Sequence, residues 1–294
     1  MSDPVVNIME PREWSNILTN ITQSSEFKDQ ITRQGYYLSP EYADFRTYLR
    51  KEWNLNSTIN TANFLSKDFW HEQSRILREN NYYLVRSGRG SFVILDEKNF
   101  PQPYLNLSLD NATEIPIIDP EGFEHLKRAF SENILENAGL EQLRFYGIYD
   151  IILEKTIGSM REYHVGIRGN TTRTFDIYFQ KANSMQLQKI RSYKGQAELD
   201  YTIWTRNSVF LFEAKQVKQG NIEYYLDIGW HKFAFAAARF LNYSQLDIYP
   251  VYFLRAKSKV FVFVFPKFNF YEKGIVLNHS EQMKPQHVFV VTPI

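Results

Sequence analysis

At 294 residues the chain can build one large domain or two ordinary ones around a real core, and its 44% hydrophobic and 23% charged residues are those of a folded protein. The absence of cysteine excludes a disulfide framework, a thiolate metal site and a cysteine nucleophile. A formal charge of +1 excludes a global basic field, so any nucleic-acid surface must be a localised basic cleft.

No stretch has the basic, apolar and small-residue order of a signal peptide, and none approaches the roughly 18 apolar residues of a membrane span. The expected location is the cytoplasm, with no membrane partner.

Residues 1–75 are polar and helical in pattern, with apolar positions at helical spacing in 41–53 and again in 69–80. Two short apolar runs in 82–95 flank Ser87-Gly88-Arg89-Gly90, a hairpin signal. Helices followed by a basic-tipped hairpin are the order of a winged helix-turn-helix, and equally of an ordinary helix–hairpin unit. The stretch 100–122 is rich in Pro, Asn and Asp and marks a boundary. It divides the chain into an N-terminal, mainly helical domain (1–115) and a C-terminal domain (116–294).

Asp119-Pro120-Glu121 then opens a helix with a cap, a first-turn proline and an acidic first turn, running to about Asn137. Strands are expected at 145–153, 163–168, 174–180, 198–205 and 208–213. Ile222, Tyr225, Leu226, Gly229, Phe233, Ala236, Ala237, Phe240 and Leu241 recur at steps of three and four, which predicts one long helix. Strands at 249–254 and 260–265 complete an α/β core.

Within this core the apolar run Val209–Phe212 ends directly in Glu213-Ala214-Lys215. The preceding strand carries Asp200, and the short connection Thr205-Arg206-Asn207-Ser208 makes the two strands neighbours. An antiparallel pair sets the start of one opposite the end of the other, so Asp200 and Glu213 come level. The period of two puts Lys215 on the face of Glu213. Two carboxylates with little cationic compensation suit a hard divalent cation such as Mg²⁺, which takes substrate phosphate oxygens as further ligands. Glu26-Phe27-Lys28 and Asp96-Glu97-Lys98 share the acid-x-Lys spacing but lack the preceding acidic strand.

Asp200 with Glu213-Ala214-Lys215 resembles the active-site signature of the PD-(D/E)XK nuclease superfamily, most closely its type II restriction endonucleases. The resemblance implies a restriction-endonuclease-like α/β fold. That is a central mixed sheet flanked by helices in the order α-β-β-β-α-β over about residues 121–254, behind the helical, winged-helix-like N-terminal part. It implies hydrolysis of phosphodiester bonds in double-stranded DNA with one or two Mg²⁺ ions, by a homodimer whose two cores cut two strands. Asp200 and Glu213 would be metal ligands, with Glu198 beside them, and Lys215 the catalytic lysine, with Gln216 next to it. Glu132 and Glu136 are candidates for a further acid from the preceding helix. Leu199 stands where the eponymous proline would be.

Arg161, Arg168 and Arg173, with Gly169-Asn170 as a hairpin turn, and Arg191 and Lys194 just before the acidic strand are the expected DNA contacts, together with Arg89. The six histidines show no HxH or HExxH spacing; Asp227 and His231 are expected to pair on the surface of the long helix. A repair, transposon or defence nuclease with the same core, and a non-catalytic DNA-binding or dimerisation module, are the competing readings.

Overall fold

Capping and apolar spacing set the N-terminal helices in the computed structural model, which describes residues 12–55, 65–117, 140, 143, 144, 146–158, 162–166, 169–217, 221–256 and 259–293. Helix α1 (Arg12–Gln23) buries Trp14, Ile17, Leu18 and Ile21. Helix α2 (Ser25–Gln34) starts where the Ser24 hydroxyl accepts the Phe27 N–H, and stops at Gly35 in the left-handed region. Strand β1 (Tyr36–Leu38) follows, then α3 (Phe45–Trp53), capped by Asp44. A 3-10 turn at Trp70–Glu72 and the short α4 (Arg75–Glu79) replace the single helix expected over 69–80. The cause is tertiary: the Trp70 N–H is donated to the Asp227 carbonyl, and Phe69 bridges to Ile228.

The expected hairpin forms from β2 (Tyr82–Arg86) and β3 (Phe92–Asp96), and β1 adds to it in the order β1-β3-β2, antiparallel throughout. Gly90 is needed at its turn because a Cβ there would run into the backbone of Tyr42 and Asp44. Strand β4 (Thr113–Ile117) comes next, so the division expected at 115/116 falls inside a strand. The helix expected over 121–137, with Glu132 and Glu136, lies outside the described residues.

The strand expected at 145–153 is instead helix α5 (Ile148–Ile157), set between Gly147 and Gly158, both at positive φ. Ile148, Tyr149, Ile152 and Leu153 recur at helical steps and all pack on the sheet, a pattern that a short apolar run does not distinguish from a strand. Then come β5 (His164–Val165), β6 (Gly169–Gln180), β7 (Leu187–Leu199), β8 (Tyr201–Trp204) and β9 (Ser208–Gln216). Gly169-Asn170, expected as a turn, opens β6 and pairs with Leu199 and Glu198.

The long helix expected over 222–241 is broken. A 3-10 turn (Ile222–Tyr225), an extended stretch, helix α6 (His231–Ala237) and a second 3-10 turn (Ala238–Phe240) take its place. The extended stretch is held by main-chain hydrogen bonds from Leu107 to the Leu226 carbonyl, from Leu105 to that of Ile228, and from Trp230 to that of Pro103. These long-range bonds override the helical spacing. Strands β10 (Asp247–Ala256), β11 (Lys259–Val264), β12 (Gly274–Val276) and β13 (His287–Pro293) finish the chain.

The central sheet is mixed and seven-stranded, in the order β4-β13-β11-β10-β9-β8-β5. β9–β10 and β13–β4 are parallel, and the remaining pairs antiparallel. On one face α5 packs over Tyr201, Phe210, Phe212 and Val251. On the other, α6 and the N-terminal sheet share a core with Val209, Leu211, Tyr252 and Leu254, so this core spans both halves of the chain. The long β6–β7 hairpin, with β12, forms a third sheet beside it. Helices therefore flank a mixed sheet, and among the described residues no helix is long and apolar enough to cross a membrane.

Trp230 leads into α6, fully buried against Phe233, Phe265 and Phe268. Trp230→Ala is expected to destabilise the protein by about 3–5 kcal/mol, read from chemical denaturation.

Candidate active site

The chain leaves β7 at Leu199, bends at Asp200 and enters β8 at Tyr201, passing from one sheet to another. Tyr201 pairs with Phe212 across β8–β9, so Asp200 lies level with Glu213, as the strand arithmetic requires. Beyond that last pair β9 has lost its β8 neighbour, and the Ala214 N–H is donated to Asp200 Oδ2 at 3.0 Å instead. A side chain thus finishes the ladder where the main chain has turned away.

Glu213 and Lys215 share the face of β9 that α6 covers, while Phe212 and Ala214 face α5. Lys215 Nζ lies 2.9 Å from Glu213 Oε1, and two residues that sequence reasoning missed close the cluster. Lys232, in the first turn of α6, brings its Nζ to 3.3 Å from the same Oε1. Asp68 reaches Lys215 at 3.0 Å and Lys232 at 3.5 Å. The Gly229 N–H is donated to the Asp68 carbonyl at 2.7 Å, tying this acid's backbone to the segment that leads into α6.

The electrostatics follow from that inventory. Burial alone pushes the Glu213 carboxyl up, but the Lys215 and Lys232 ammonium groups more than offset it and hold it below the ordinary range. Asp68 behaves the same way: burial raises it, and the same two ammonium groups bring it down. Burial opposes charge on Lys232 too, yet Glu213 and Asp68 hold its pKa above normal. Two cations thus balance two anions. Asp200 is the odd acid: burial and then the Glu213 charge push it up to about 7, and among the described residues it has no ion pair. Beside them His231 is driven down to about 4 by burial and stands neutral.

The chemistry of this donor set fits a divalent cation. Ionised Asp200 would leave the cluster one negative charge in excess, and Mg²⁺ is commonly held by only one or two carboxylates plus phosphate oxygens and water. Among the described residues no group of three His, Asp or Glu side chains is disposed to hold a metal ion.

No family model, no curated protein and no solved structure matches the chain.

The other expected site residues fall in three places. Gln216, next along β9, is turned by strand alternation to the face opposite Lys215, and its Oε1 is buried with no hydrogen-bond partner among the described residues. Glu198 is exposed on β7 opposite Asn170, with no ion pair to the cluster among the described residues. Arg161 and Arg168 lie outside the described residues.

Arg89 and Lys194 do come together, while strand alternation turns Arg173, paired with Gly195, to the other face of the hairpin. The Ser87–Gly90 turn docks on the β6–β7 hairpin, where Gly88 bridges to Lys194 and Arg89 donates to the Thr172 hydroxyl, one residue before the exposed Arg173. Arg239, also missed, lies by Arg173: it donates to the Gly169 carbonyl, and burial and then Arg173 lower its pKa. Arg191 is committed internally, at 3.2 Å from Glu41 and donating to the Ser39 carbonyl at 2.9 Å.

Asp227 lies ahead of α6 and pairs with His71 rather than His231, its Oδ2 accepting the His71 N–H at 3.1 Å. No local pattern marks Asp68, and nothing in the spacing over 222–241 sets Lys232 apart.

Because Asp200 is raised in the folded state, its contribution to stability is present below its unfolded pKa and is lost as pH rises towards 7. In EDTA, wild type should therefore lose melting temperature relative to Asp200→Asn between about pH 4 and pH 7, by an amount on the order of a few degrees. A pH-independent difference between the two thermal scans would contradict this assignment.

Proposed function

We propose that the protein is a Mg²⁺-dependent endonuclease hydrolysing phosphodiester bonds in double-stranded DNA, with a PD-(D/E)XK-type core and most like a type II restriction endonuclease. The observation that carries this reading is the level placement of Asp200 and Glu213 on adjacent strands, with Lys215 on the same face and Asp200 left as the unbalanced acid.

Asp200 and Glu213 are the residues that would hold the cation. When bound, Mg²⁺ supplies an acidified water and neutralises charge on the scissile phosphate. The chain's own groups do the remainder. Lys215 places an ammonium beside the carboxylates, where it orients the attacking water or stabilises charge developing on the phosphoryl oxygens. The α6 face and Tyr252, buried next to Glu213 in the β9–β10 register, exclude bulk water and so strengthen both effects.

The helix and strand order of the N-terminal part, with its sheet β1-β3-β2, supports a winged-helix-like reading. The docked turn with Arg89, beside Lys194, supports a basic track leading along β7 towards Asp200. The separation from Gly195 to Asp200 is five strand residues, on the order of 17 Å. Exposed arginines and lysines of this kind grip phosphates and set register. Cutting both strands calls for two such cores, hence a homodimer.

Plasmid or phage DNA incubated with the protein and Mg²⁺ should give discrete bands that vanish in EDTA. Lys215→Ala should slow cleavage by on the order of 10²–10³-fold. Cutting confined to structured or damaged DNA would favour a repair, transposon or defence nuclease. Tight binding without cutting under any divalent metal would leave a non-catalytic DNA-binding module.

A further inference from the structure

The nuclease reading employs one lysine, yet the cluster holds two. Lys232 reaches the same Glu213 oxygen as Lys215, from α6 rather than from the sheet, and keeps about a fifth of its side chain exposed. Its Nζ lies 3.3 Å from Glu213 Oε1 and 3.5 Å from Asp68 Oδ1, ion-pair distances that leave its three N–H donors open to a closer acceptor.

Placing a second buried cation there needs an anchor. Asp68 supplies it, bridging both ammonium groups from a segment whose main chain is bonded to residues 227–229. The Asp68 carbonyl accepts the Gly229 N–H, Trp70 donates to the Asp227 carbonyl, and Phe69 bridges to Ile228. Asp68 and the residues leading into α6 are therefore held as one unit.

Resting on the nuclease reading, we propose that Lys232 is a second phosphate-binding group of this site, and that Asp68 is the positioning residue that keeps it there before DNA arrives. The substrate phosphate accepts a Lys232 N–H, and the two ammonium groups flank it from the sheet and from the helix. The Asp68 carboxylate prevents the two cations from repelling each other apart while the site is empty of substrate. The N-terminal half of the chain thereby supplies part of the site, which makes the nuclease core incomplete by itself.

The test uses the full chain with Lys232→Met, Asp68→Asn and the double variant. The double variant removes one cation and one anion together, so the buried charge stays balanced and the fold is kept. Affinity for a short DNA duplex is measured in EDTA against NaCl concentration, and single-turnover cleavage is measured in Mg²⁺. Loss of one phosphate contact lowers the salt slope of log K by about 0.9, a change that a merely structural lysine would not produce.

The double variant and Lys232→Met should both lose that slope unit and cleave on the order of 10²-fold more slowly. Asp68→Asn should slow wild type but leave Lys232→Met no slower, since the two act as one unit. A folded double variant with unchanged slope and rate would overturn the proposal, as would full additivity of the two single changes. Wild type that cuts no DNA while Lys215→Ala behaves identically would overturn the nuclease reading instead.

Discussion

A carboxylate cannot stay ionised between a sheet and a helix unless cations are brought to it, because the desolvation cost of an unpaired buried charge exceeds most single stabilising terms in a protein. Glu213, at the charged end of a core strand, is such a carboxylate, and the two ammonium groups around it come from its own strand and from α6. Lys215 follows from strand alternation alone. Lys232 requires α6 to begin where it does, and Asp68 requires the N-terminal segment to lie against residues 227–229. Packing α6 on the sheet therefore completes the neutralisation of Glu213, and Asp68 ties the N-terminal half to the same two lysines.

The same constraint explains the shape of the chain around Asp200. Strands β7 and β8 form nearly one run of chain that changes sheets at this residue. The bend frees the Asp200 carboxylate from strand alternation and lets it finish the β9 ladder at Ala214. It stays level with Glu213 but out of reach of the lysines' ion pairs. Among the described residues two acids and two lysines make a neutral set, and Asp200 stands just outside it with a pKa of about 7. A site poised in this way changes charge near neutrality, which is the condition under which a cation or a phosphate changes its balance most.

Where the strong tertiary bonds lie also decides which helices survive. The spacing over 222–241 is amphipathic, and its apolar residues are in large part buried, yet main-chain bonds to 103–107 and to 68–70 pull residues 226–230 out of the helix. The helix is shortened to the part that packs on the sheet, and its first turn carries Lys232 into the cluster. Arg191 shows the reverse effect: a residue that looks like a free basic contact is drawn into an ion pair with Glu41 because the docked turn and β1 close over it.

Sequence alone determined the pairing of 201–204 with 209–212, the level placement of Asp200 and Glu213, and the common face of Glu213 and Lys215, while the structure gave 198–199 to β7, opposite β6. A short connection and a period of two leave those relations little freedom. The hairpin at 82–95 and the strands at 249–254 and 260–265 were legible for the same reason: their signals are local. The short apolar segment that became α5 was ambiguous between the two periods, and contact with the sheet decided it. Asp68 and Lys232 could be assigned only by the tertiary structure. Nothing near Asp68 distinguishes it from other surface acids, and Lys232 acquires its role from where a helix begins, which long-range hydrogen bonds set.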